Sequence, residues 1–170
     1  MDLFEAIRER RSVRAFLPEP LDPESVRSIL EACNQAPSAG NLQAYEIYRV
    51  EDAGVREALA AAAYDQQFVE EAPLALVFVA DPARARRYGE RGAQLYSVQD
   101  ATVAAAYAQL AAVACGLASC WVGAFDEARV ASVLHLPAGM KPVAILPVGR
   151  AKEHPEPTPR RRLDDLARRI

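Results

Sequence analysis

The run from Leu74 to Ala80 (LALVFVA) constrains the fold of this chain more than any other feature. A strand turns successive side chains to opposite faces, so a run apolar at every position must be covered on both. Seven residues fall well short of the roughly 20 that a membrane-spanning helix needs, and no other stretch is better. The run is therefore predicted to be a buried central strand, and the rest of the chain must supply its cover. Residues 2–10 place Leu3, Phe4 and Ile7 at helical spacing. Asp22 is a good N-cap, Pro23 suits a first turn, and Val26, Ile29, Leu30 and Cys33 form one apolar stripe. That pattern stops near Pro37. An Ala-rich helix is predicted over 53–64, a short one opened by Asp81-Pro82, and another capped by Asp126 with Val130, Val133 and Leu134. The longest runs over 97–115 and is closed by Gly116. Its many small side chains permit the close contact that a central or dimer-interface helix requires. Tyr45–Val50 and Val143–Val148 complete the strands. The expectation is an α+β domain spanning residues 1–170, with a few central strands surrounded by helices.

Charge supplies the second constraint. The net charge of −3 gives no reason to expect nucleic acid or an anionic membrane as partner. Of 20 Lys and Arg residues, four lie between Arg8 and Arg14 and seven between Arg150 and Arg169. Two basic clusters at opposite chain ends either stay apart in solvent or share an anion. Cys33, Cys115 and Cys120 are odd in number with no Cys-x-x-Cys pair, so neither a disulfide framework nor a thiolate zinc site is expected. His135 and His154 lack ligand spacing, so no metal is expected. The opening MDLFEAIRERR has no apolar run, which argues against a secretory signal and for a cytoplasmic protein.

Four segments have chemical potential, each beside a plainer reading. Arg10-Arg11-Ser12-Val13-Arg14 is either a solvated helix C-terminus or an anion site in which guanidinium forks and a hydroxyl grip phosphate. Ser38, Asn41 and Gln43 lie in a Pro-Ser-Gly-Asn loop that is either an ordinary turn or a set of amides suited to a heterocycle edge. Gly116 to Phe125 is either a cap and a buried strand with Trp121 as core, or a wall where Gly123 and Ala124 let a flat ligand approach the backbone. Arg160 and Arg162 are either a solvated tail or a second hand on the same anion. Nucleophile elbows, phosphate-binding loops and Gly-x-Gly-x-x-Gly are absent. An enzyme with this inventory needs a cofactor for its hard step.

In this order and at these distances RRSVRAF, PSAGNLQ, GLASCWVGAF and VGRAKEHPEPTPRRRLDDL resemble the FMN-dependent nitroreductase family, from Leu3 to about Leu166. The resemblance implies a nitroreductase-like α+β fold: a central, mostly antiparallel sheet surrounded by helices, in an intertwined homodimer with FMN at the interface. It implies that Arg10, Ser12 and Arg14 meet the phosphate, ribityl chain and pyrimidine edge, with Arg11 also at the cofactor. Arg160 and Arg162 would close on the phosphate from the C-terminal side. Trp121, Gly123 and Ala124 would lie under the reactive part of the flavin, and Ser38, Asn41 and Gln43 would come from the second subunit. This chain has Ala44-Tyr45 where the family often has Pro-Trp, leaves the contact near Asp65 to Phe68 unassigned, and lacks a long covering insertion. Four charge-assisted bonds of about 1.5–3 kcal/mol give roughly 6–12 kcal/mol. Association costs of about 4–15 kcal/mol consume most of that, so ring burial must contribute.

The implied activity is a two-step cycle in which NADPH or NADH gives hydride to the flavin and a nitroaromatic, quinone or flavin acceptor is then reduced. No side chain is expected to act as catalyst; Arg14 would stabilise negative charge at the pyrimidine edge. Other readings stay open: a dehalogenase, a dehydrogenase of peptide-bound residues or a flavin-fragmenting enzyme on the same scaffold, a flavin carrier or sensor without turnover, or a helical interaction module with solvated basic ends.

Overall fold

A computed structural model describes residues 1–170. Helix α1 (Leu3–Glu9) starts in a capping box: Asp2 accepts the Glu5 amide at 2.8 Å and Glu5 accepts the Asp2 amide at 3.3 Å. Helix α2 (Pro23–Asn34) opens on Pro23, with Asp22 accepting the Ser25 amide. Strand β1 (Tyr45–Val50) follows, then α3 (Ala53–Ala62), capped by Asp52, and the single turn α4 (Phe68–Glu71). Strand β2 is Leu74–Ala80, the predicted run.

The short helix expected from Asp81-Pro82 is instead a turn. The Asp81 carboxylate accepts the Ala83 amide at 3.0 Å, and helical turns begin only at Arg86, leading to α5 (Gly89–Arg91). A π-helical stretch, Gly92–Tyr96, runs directly into α6 (Ser97–Ala114). Strand β3 has only two residues (Ala118–Ser119), followed by α7 (Glu127–Val133), β4 (Lys141–Gly149) and a terminal turn, α8 (Leu163–Leu166).

The strands form one antiparallel sheet in the order β1-β2-β4-β3. All seven residues of β2 are buried between β1 and β4, as its composition demands. Leu74, Leu76, Phe78 and Ala80 join the core beneath α2 and α6, with Val26, Ile29 and a row of α6 alanines. Ala75, Val77 and Val79 face the other way, against Leu59 of α3, Val69 of α4 and Val130 of α7. The alternation sorts one apolar run into two cores. Pro142 sits beside the bulge at Phe78/Val79, where a residue without an N–H costs the ladder little.

Helix α1 packs on α6 through Ala6, its one buried residue. Leu3, Phe4 and Ile7 stay 60%, 70% and 49% exposed. Their apolar stripe therefore has no partner within the chain.

Candidate functional site

After α1 the chain enters the sheet edge rather than solvent. The Arg10 amide closes the helix on the Ala6 carbonyl. Ser12 then bridges Ser119 of β3, and the Val13 amide donates to the Ser119 carbonyl at 3.2 Å. Phe16 bridges Ala151, the Leu17 amide donates to the Arg150 carbonyl, and the Lys152 amide donates to Ala15, both at 2.9 Å. Val13 and Phe16 are buried and anchor this stitching. A Cβ on Gly149 would stand 3.0 Å from Phe16 Cδ1 and 2.9 Å from Pro73 Cδ, so only glycine lets the phenyl ring seat there.

The stitching carries the beginning and end of the chain to one place. A cavity of about 510 Å³ is walled by Arg10, Ser12 and Arg14 on one side and by Thr158 and Arg160 on the other. Arg8 and Arg11 also border it, and Glu156 is its only acidic residue. Its volume lies within the roughly 300–1,000 Å³ of small-molecule sites. The ion pairs of the chain are Arg27–Glu31, Arg49–Glu51, Lys141–Glu127 and Arg162–Asp164. Arg10, Arg14 and Arg160 thus face the cavity without a carboxylate partner. Arg11 differs: its guanidinium turns back to the Arg8 and Arg10 carbonyls, the cation-at-helix-end role. The Arg14 amide donates to Glu153 at 2.5 Å, tying this run to the tail. Burial pushes the Cys120 thiol up, while Arg14 and Arg10 pull it back.

Trp121 is half-buried against the α2/α6 core, while Gly123 and Ala124 are exposed. A Cβ on Gly123 would lie 3.2 Å from Trp121 Nε1, so the missing side chain leaves the indole and backbone open together. Gln66, which sequence reasoning passed over, donates to the carbonyls of Ala63 (2.8 Å) and Ala124 (3.1 Å). Left-handed Tyr64 and Asp65 aim it there. Trp121, Gly123, Ala124 and Arg162 stand outside the wall of the arginine cavity. Arg162 is 3.7 Å from Asp164 instead.

The loop of Ser38, Asn41 and Gln43 also lies outside that wall. The Ser38 hydroxyl accepts the Gln43 amide at 3.0 Å, and Gln43 Nε2 donates to Asn34 Oδ1 at 2.9 Å. Nε2 also reaches the Asn34 backbone carbonyl at 3.3 Å, so Gln43 keeps its carbonyl oxygen, not its amino group, for a ligand. Asn41 is exposed with no side-chain bond. The loop rests on Asp100 of α6, which the sequence reading also missed.

Fold and cavity together define the class: an α+β protein with a cationic pocket built from both chain ends. The sequence matches the nitroreductase family over residues 7–81 and 57–150, and the chain belongs to that family. It is 34% identical to an NADH dehydrogenase of Thermus thermophilus, with 94% of this chain and 92% of that protein aligned. It is 27% identical to an FMN reductase [NAD(P)H] of Bacillus subtilis, over 94% and 70% of the two chains. The solved NADPH:FMN oxidoreductase of Vibrio harveyi, complexed with NAD+, superposes with a TM-score of 0.91 at 28% identity, covering 98% of this chain and 76% of that one.

Proposed function

We propose that this chain is an FMN-dependent oxidoreductase that takes hydride from NADH or NADPH and reduces a small acceptor such as a nitroaromatic, quinone or flavin. The observation that carries the reading is the cavity at which Arg10, Arg14 and Arg160 converge without carboxylate partners. The donor set suits FMN: unpaired guanidinium forks and hydroxyls for a phosphate and ribityl chain, with a half-buried indole and an open backbone outside that wall for a flat ring. The relatives named above, an FMN reductase and an NADPH:FMN oxidoreductase, support the same chemistry.

FMN, when bound, supplies the hydride acceptance and release that no side chain of this protein offers. Arg10, Ser12 and Arg160 would hold the phosphate end, with Arg162 reaching it from outside the wall, Arg11 would brace that run, and Arg14 would set a cation toward the pyrimidine edge, where it favours added negative charge. Trp121, Gly123 and Ala124 border the ring, with Gln66 fixing the carbonyl of Ala124. Ser38, Asn41 and Gln43 complete the site across a homodimer. The uncovered Leu3, Phe4 and Ile7 of α1, with Leu163, Leu166 and Ile170 in the tail, give that pairing its apolar surface. The chain acts as one domain, and its expected place is the cytoplasm; no helix is long and apolar enough to cross a membrane.

Anaerobic mixing of the purified, FMN-loaded protein with each nicotinamide tests the reading. Bleaching of the flavin absorbance, then steady nicotinamide oxidation on adding a quinone, is expected. Bound FMN that resists both nicotinamides would mean a carrier; failure to bind FMN would remove the proposal.

A further inference from the structure

The loop from Ser38 to Ala44 is held in a conformation it would not choose alone. Gly40, Asn41 and Gln43 all have left-handed backbones, with φ of 56°, 56° and 48°. That region is disfavoured for most residues carrying a Cβ; asparagine tolerates it, so it is Gln43 above all that needs outside support. Asp100 provides it from below. Its side chain is buried, at 3% exposure, and no cation pairs with it. Oδ1 accepts the Ala39 amide at 2.9 Å and Oδ2 accepts the Ala44 amide at 3.2 Å, one at each end of the loop. A buried carboxylate is tolerated only where its oxygens are met by donors, and here both donors are backbone N–H groups of this loop. From outside, Arg84 Nε and Nη2 both reach the Leu42 carbonyl at 3.3 Å. The Tyr88 hydroxyl occupies the space beside Gly40, 2.1 Å from where a Cβ would stand.

We infer that Asp100 is the positioning residue of the amide loop: its carboxylate spans the Ala39 and Ala44 amides and so fixes how Ser38, Asn41 and Gln43 are presented to the cofactor. This rests on the proposed function, in which those side chains meet the flavin held by the other subunit. Asn at this position has a single acceptor oxygen and sets an NH2 group against one of the two amides. Alanine leaves both amides buried and unmet.

The test compares Asp100→Asn, Asp100→Ala and, as a control for general destabilisation, Val77→Ala on the opposite face of the sheet. In the FMN-loaded protein, Asp100→Ala should weaken FMN binding roughly tenfold or more, with Asp100→Asn between it and wild type. Both should alter the visible circular dichroism of bound FMN, while Val77→Ala changes neither reading. Wild-type affinity and dichroism in both Asp100 variants would overturn the inference. Should the alanine variant fail to fold, the asparagine variant decides alone. Amide hydrogen exchange separates this claim from the one it rests on. Ala39 and Ala44 should exchange faster in Asp100→Asn whether or not FMN binds, and unchanged exchange would defeat the clamp. Loss of FMN binding by the wild type would defeat only the functional reading.

Discussion

Arg10–Arg14 and Ser38–Gln43 are short loops that each follow a helix, and they invest their polar groups in opposite ways. In the first, the backbone is fixed by bridges to β3 and to Ala151, so Arg10 and Arg14 are free to face a cavity unpaired. In the second, side chains and neighbours are already engaged in shaping the loop: Ser38 on the Gln43 amide, Gln43 on Asn34, Asp100 on Ala39 and Ala44. Under the proposed function, the contrast separates a region that would supply binding energy from one that would supply shape. Charge left unsatisfied in the folded chain is capacity for a ligand; amides satisfied internally are geometry.

The strongest way to break the contrast is to unseat the arginine run without touching an arginine. Phe16→Ala removes a ring that is 3% exposed and should cost about 3–5 kcal/mol of stability by urea denaturation. FMN affinity should fall with it. Next in size, Arg10→Ala combined with Arg160→Ala should weaken FMN binding by roughly tenfold or more per arginine, with the urea midpoint unchanged. On the other loop, Gly40→Ala meets both a positive φ and the Tyr88 hydroxyl. It should lower stability by about 1–2 kcal/mol and reach FMN binding only through loop shape. The smallest effect belongs to Asn34→Ala, which removes the side-chain acceptor of the Gln43 amino group but keeps the Asn34 backbone carbonyl, and should cost about 1 kcal/mol in a thermal melt. If Asn34→Ala reduced FMN affinity as much as the arginine pair, the division between energy and shape would be wrong.

The sequence made the frame legible because local signals and burial agree. LALVFVA could be satisfied only between two layers, Asp22-Pro23 only at a helix start, and small residues through 97–115 only in a closely packed helix. The arginine run and tail were recognisable as a pair that must share an anion or avoid each other. What stayed hidden depended on contacts across the fold. Asp100 looks like one more polar residue in an Ala-rich helix, since nothing in its neighbours announces two backbone amides 56 and 61 residues away. Gln66 is aimed by the left-handed pair Tyr64 and Asp65, which propensity does not foresee. The apolar stripe of α1 has the spacing of an amphipathic helix, yet nothing within the chain covers it.

Comparing FMN with riboflavin tests the convergence of both chain ends on one phosphate most directly, because the two ligands differ only in that group. By fluorescence titration, wild type should bind FMN at least roughly 100-fold more tightly than riboflavin, and Arg10→Ala with Arg160→Ala should erase most of the difference. Equal affinities of the wild type for FMN and riboflavin would contradict the account.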